Sequence, residues 1–287
     1  MNTPSRNDFH ALVHVGSTSA VRADTFASKD GQAPGMALDK AQLRQRYLAM
    51  RQGLSTEERQ AADEEIRRYL CQLLRRVLPE IAGFASLDRG SSGESGLPLR
   101  NSGIPEGLAL PPLTFASGEG RRVVTLYRAM RGEVDIFPVI ACIEATGGRV
   151  AFPVTRMQER RLDFYEFTAD TRWQCSSFGI AEPQPDSGQG TVPEAALAVV
   201  VVPGLAFTRQ GVRLGYGGGF YDRLLASSQV SALRVGVGYS TQWAQSLPTQ
   251  SHDQLLHLII TERGVWNCLQ PPSSLPEEPA GAWEGTS

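Results

Sequence analysis

Between Val199 and Leu225 the sequence reads VVVVPGLAFTRQGVRLGYGGGFYDRLL, a composition suited to holding an anion. Gly215, Gly217, Gly218 and Gly219 have no Cβ, so their backbone amides can approach phosphate oxygens closely. Arg213 adds a fixed guanidinium charge. Asp222 falls three residues beyond Gly219, in the first turn of the helix expected next. A carboxylate there complements the helix dipole or holds a hydrated magnesium ion. Two better-known phosphate loops are excluded. No Gly-Lys-Ser or Gly-Lys-Thr follows the glycines, and the dinucleotide fingerprint would need glycine in place of Phe220. Taken alone, GYGGG is equally a glycine-rich turn that joins a strand to a helix.

Other residue types capable of chemistry are scattered, and each has an ordinary structural explanation. Lys40 and Arg44 stand one helical turn apart and read as solvated helix charges. Asp253 follows His252 as a surface or capping residue. A zinc site built on His252 and His257 lacks a third His or Cys at recognised spacing. Glu133 reads as a carboxylate near a helix start, and Phe220 as a core aromatic. Cys71, Cys142, Cys175 and Cys268 are too widely spaced for a zinc knuckle or a disulfide framework, and free thiols in the cytoplasm are expected.

Any such site needs a scaffold, and the apolar periodicity supplies one. Residues 197–202 form a continuous run rich in valine, as expected for a strand buried on both faces of a parallel sheet. Further strands are expected at 123–127, 150–154, 162–167, 233–237 and 258–260, with a helix at 136–145. Near the start, two helices are expected on either side of Gly53-Leu54. Ser55 and Glu58 form a capping box for the second, which carries Ile66, Tyr69, Leu70, Leu73, Leu74 and Val77 and stops at Pro79. The alternation predicts an α/β fold, a single domain with a mainly parallel sheet flanked by helices on both faces. Its ligand site would lie at the carboxyl edge of the strands.

The domain is expected over residues 38–267. Residues 1–37 would be a flexible extension, 83–120 an insertion loop, and 268–287 a disordered tail. With 41% hydrophobic and 20% charged residues the chain is globular. A net charge of -2 and pI near 6.1 give no reason to expect nucleic acid or an acidic membrane as partner. The apolar runs fall far short of the roughly 20 residues of a membrane helix, and residues 1–21 lack the apolar core of a secretion signal.

One ordered set of motifs carries more weight than any member. It comprises Lys40 and Arg44 as KxxxR, RGEVD at 131–135, FGIAEP at 178–183, PGLAF at 203–207, RLGYGGGFYDR at 213–223, and His252-Asp253. In this the chain resembles the 5-formyltetrahydrofolate cyclo-ligase family over about residues 39–263. The resemblance implies a nucleotide site of Lys40, Arg44, Arg213, Leu214, Gly215, Tyr216, Gly217, Gly218, Gly219, Phe220 and Tyr221. It also implies a folate site of Arg128, Glu133 and Phe220, and magnesium at Asp222 and Asp253. The implied activity is ATP- and Mg²⁺-dependent closure of 5-formyltetrahydrofolate to 5,10-methenyltetrahydrofolate by a cytoplasmic monomer. Three residues depart from the pattern: Arg128 where an apolar residue is usual, Phe220 for Tyr, and His257 for an acidic residue. Arg128 and His257 leave open a non-catalytic folate- or nucleotide-binding regulator on the same fold.

Overall fold

The structure, a computed structural model, describes residues 38–81, 123–185 and 190–269. The expected extension, the expected insertion and all but two residues of the expected tail lie outside these. Two helices open the domain. Helix α1 (Lys40–Gln52) begins at Asp39, whose carboxylate accepts from the amides of Ala41 and Gln42 at 2.8 Å each, while Gln42 Oε1 accepts from the Asp39 amide. Helix α2 (Thr56–Ile81) starts on the expected box: Ser55 Oγ accepts from the Glu58 amide and Glu58 Oε2 from the Ser55 amide. Pro79 does not stop α2, which runs on to Ile81. A proline in the last turn removes one donor from a helix that is about to end.

The strands follow as β1 (Val123–Thr125), β2 (Arg149–Arg156), β3 (Arg161–Glu166), β4 (Trp173–Cys175), β5 (Ala181–Pro183) and β6 (Leu197–Pro203). Then come β7 (Ala206–Phe207), β8 (Arg213–Leu214), β9 (Leu233–Val237), β10 (Leu258–Thr261) and β11 (Gly264–Asn267). Helix α3 (Ile140–Ala145) precedes β2, and α4 (Phe220–Ala226) precedes β9. Seven strands form one sheet in the order β11-β10-β9-β6-β1-β2-β3. The four inner pairings are parallel and the two edge pairings antiparallel. Small antiparallel pairs, β4 with β5 and β7 with β8, sit outside it.

Helices cover both faces. Ile66, Leu70 and Leu73 of α2 and Ile143 of α3 pack on Val124, Phe152, Val201 and Val235, while Leu224 and Leu225 of α4 pack on Val200, Val202 and Ile259. The run in β6 is buried throughout. A bulge at Ala198, opposite the step from Val123 to Val124, shifts its alternation by one residue. A third cluster, of Tyr47, Leu205, Ala206, Leu214 and Leu247, fastens α1 to the β7–β8 hairpin.

The parallel core sets the position of the site. The segments leaving β1 and β6 at their carboxyl ends are residues 126–133 and the turn at Pro203-Gly204. His257 stands at the opposite edge of the sheet. Its amide donates to the Arg234 carbonyl and its Nδ1 accepts from the Arg234 amide, where β9 begins. The Cys268 amide donates to the His257 carbonyl at 2.9 Å, so the domain extends past residue 267.

Candidate active site

A cleft of about 380 Å³ opens at the carboxyl edge of the strands. One wall is the glycine loop 215–221 with Arg213. The opposite wall is formed by Tyr127, Arg128 and Glu133 after β1, by Pro153 and Thr155 of β2, and by residues 178–182. The predicted phosphate and folate residues therefore share one cavity, except for Lys40, Arg44 and Leu214.

Local backbone conformation explains the loop. Gly217 has φ +99° and Gly219 φ +66°, values that side chains rarely allow, and a Cβ at Gly217 would come within 3.1 Å of the Arg44 guanidinium. Arg44 Nε donates to the Gly215 carbonyl at 2.9 Å, so α1 holds the loop from outside. Phe220 lies at the cleft wall and meets Phe178 edge-on at 6.2 Å between centroids. The Leu214 side chain is 3% exposed and belongs to the third core cluster. Its carbonyl accepts from the Leu205 amide, so it acts as framework beneath the loop.

Four of the five charged groups expected around phosphate and metal form two ion pairs. Arg213 Nη2 bonds Asp222 Oδ1 at 2.9 Å, and its Nη1 donates to the Pro203 carbonyl. Lys40 Nζ bonds Asp253 Oδ2 at 3.0 Å. Burial opposes ionisation of Asp253, but the Lys40 ammonium and the Gln250 amide outweigh it, and its pKa falls below the usual carboxylate value. Two of the three expected phosphate cations are thus matched with the expected metal carboxylates, and the third, Arg44, bonds the loop backbone instead. Among the described residues, no three His, Cys, Asp or Glu side chains gather as a metal cage.

On the opposite wall Glu133 is almost wholly buried, and burial pushes its pKa up against the opposing pull of Arg51. Its Oε2 accepts from the Met130 amide at 3.1 Å. Arg128 stacks on aromatic rings, with its guanidinium carbon 4.0 Å from the Phe137 centroid and 5.1 Å from that of Trp173. Burial and the nearby Glu133 charge raise the Tyr216 phenol to about 12, so it remains protonated at neutral pH.

Among the residues that the sequence reading did not place in the site, two are buried and charged. Glu182 of β5, 5% exposed, lines the cleft and accepts from Thr155 Oγ1 at 2.6 Å. Arg51, 1% exposed, reaches the Gly204 and Arg131 carbonyls, Tyr216 Oη and Glu133. A usable signal existed for both. Glu182 stands inside FGIAEP. Lys40, Arg44, Tyr47 and Arg51 recur at helical spacing and fall within an arc of about 60° on α1.

Comparison with known proteins finds relatives of the whole domain. The model of the 5-formyltetrahydrofolate cyclo-ligase family matches residues 115–262. The 5-formyltetrahydrofolate cyclo-ligase of Escherichia coli is 30% identical over 161 residues, covering 55% of this chain and 85% of that protein. That of Haemophilus influenzae is 34% identical over 139 residues, covering 48% and 74%. The solved 5,10-methenyltetrahydrofolate synthetase of Aquifex aeolicus superimposes with a TM-score of 0.53 and 25% identity, over 84% of this chain and 98% of that one. A structure from Mycoplasma pneumoniae, at 19% identity and a TM-score of 0.50, shares the fold.

Proposed function

Because this chain belongs to the 5-formyltetrahydrofolate cyclo-ligase family and is an enzyme of that class, we propose that its cleft brings 5-formyltetrahydrofolate against Mg·ATP and phosphorylates the formyl oxygen. The observation that carries this reading is the cleft itself. An amide-rich glycine loop with Arg213 forms one wall, and the buried carboxylate of Glu133 lies at the other.

ATP phosphates lie along the loop, with Arg44, Lys40 and Arg213 as their cations. The ion pairs support this assignment. With a polyanion and a divalent cation bound, Arg213 and Lys40 would turn from these pairs to phosphate, and Asp222 and Asp253 are the carboxylates that would hold magnesium. Two part-exposed carboxylates fit that ion, which takes one or two carboxylates and completes its shell with water and phosphate. When bound, it supplies charge neutralisation on the phosphate oxygens. Glu133 accepts from the pterin amide and amino groups, and Phe220 covers the pterin face. Arg128, whose guanidinium stacks on Phe137 and Trp173 at the cleft wall, faces the carboxylates of the glutamyl end.

In the reaction, the formyl oxygen attacks the γ-phosphorus and ADP departs. N10 then attacks the resulting imidate carbon and gives up its proton, the ring closes, and the former formyl oxygen leaves as hydrogen phosphate. No protein nucleophile is needed, since phosphoryl transfer depends on positioning and charge. The test mixes protein, 5-formyltetrahydrofolate and Mg·ATP and follows the methenyl chromophore and ADP together. Equal yields of both, lost when ATP or Mg²⁺ is omitted, are expected. Methenyl product formed without ATP would refute the reading.

A further inference from the structure

Arg51 ends α1 as the most deeply buried charged side chain of the described residues, and its contacts go to three separate segments. Nη1 donates to the Gly204 carbonyl after β6 at 3.3 Å. Nη2 donates to the Arg131 carbonyl in the turn after β1 at 3.1 Å, and to Tyr216 Oη in the glycine loop. Glu133 Oε1 stands 3.7 Å from Nη1. Since arginine can only donate, the Tyr216 oxygen accepts from it, which leaves the phenolic proton for the Glu133 carboxylate.

Two of the segments that it joins need outside support. Arg131 has φ +50° and Gly132 φ +76°, so the turn presenting Glu133 contains a non-glycine residue in the left-handed region. Such a conformation persists only where its surroundings over-determine it. The Arg51 bond to the Arg131 carbonyl and the Glu133 bond to the Met130 amide do so. Across the cleft, Tyr216 stands between Gly215 and Gly217, whose backbones do not themselves fix one conformation. A rigid guanidinium fork that bonds both fixes their separation.

We infer that Arg51 is a positioning residue that couples the nucleotide-binding loop to the pterin-binding turn, so that the placement of Tyr216 is felt at Glu133. The identity of the two ligands rests on the proposed function; the mechanical link rests on the contacts alone. Arg51 touches neither reacting atom, and its effect passes through Tyr216 and Glu133.

Four proteins test it: the full chain, Arg51→Lys, Tyr216→Phe, and the double variant, each checked by thermal melting. Lysine keeps the charge but loses the fork. Phenylalanine removes a single hydroxyl from a side chain that is 37% exposed, so the fold survives even if Arg51→Lys is destabilised. Amide exchange is read without ligand, and the Kd for 5-formyltetrahydrofolate is read without nucleotide. The expectation is that Tyr216→Phe speeds exchange several-fold in residues 130–133, a segment it does not belong to, and weakens the folate by about 5-fold or more. The double variant should be no worse than the poorer single one, as expected for residues acting through one contact. Exchange changes confined to 215–219, or single effects that multiply in the double variant, would overturn the coupling. If the full chain bound no folate, the functional reading would fail, while the exchange pattern would still decide the coupling.

Discussion

At the residue scale, burial drives two titratable groups in opposite senses. Burial lowers the His257 pKa from 6.5 to about 4, whereas the buried Glu133 is raised. For His257 the folded pKa lies below the unfolded one. The unfolded chain therefore binds the extra proton first, and stability present above pH 6.5 is lost as pH falls towards about 4. After discounting for the part of the ring that solvent reaches, this amounts to ~2 kcal/mol. His257→Asn keeps an acceptor for the Arg234 amide, and should flatten the pH dependence of denaturant-unfolding stability across that window without changing turnover at neutral pH. Glu133→Gln replaces one of the two acceptor oxygens by a donor. It should raise the KM for the folate by about 10-fold or more and leave that for ATP nearly unchanged, as measured by initial rates. His257 also illustrates where residue reading stops. It stands four residues after Asp253, where the family likeness puts an acidic residue, but the chain between them crosses to the other edge of the sheet, and only the pairing with Arg234 reveals this. Glu133, by contrast, was legible through RGEVD.

At the scale of elements, α1 is the part that organises the cleft. Its inward stripe places Lys40 at Asp253, Arg44 at the Gly215 carbonyl and Arg51 beneath Tyr216, while Arg46 points to solvent. Arg44→Ala should raise the KM for ATP by about 10-fold, the loss of one charge-assisted hydrogen bond, whereas Arg46→Ala should leave it unchanged. Gly217→Ala meets both a positive φ and the Arg44 guanidinium, and should cost ~1 kcal/mol of stability together with a weaker ATP KM. The helices were legible because their caps and apolar spacing agree. Arg51 was not, because a basic residue in a last turn has a sufficient local explanation in the helix dipole. The pairs β4–β5 and β7–β8 were missed for another reason. Strands of two or three residues show no alternation, and only tertiary pairing defines them.

At the scale of the molecule, one strand was legible as buried on both faces. The unbroken run at 197–202 is the central strand β6, whereas the edge position of β3, with Arg161, Asp163 and Glu166 at least partly exposed, was not read from the sequence. The order of the strands between them was not legible, since each reads as a short apolar run and crossovers leave no local mark. That order gathers the site: β6 and β1 lie side by side and parallel, so the turns carrying Gly204, Arg131 and Glu133 leave the sheet together. Within the described residues, no helix is long and apolar enough to cross a membrane. The central claim is that the cleft places the formyl oxygen in line with the γ-phosphorus. Its most direct test uses 5-formyltetrahydrofolate labelled with heavy oxygen in the formyl group, followed by mass analysis of the released phosphate. The account predicts one labelled oxygen per phosphate for each methenyl product formed. Label appearing in water, with unlabelled phosphate, would contradict it.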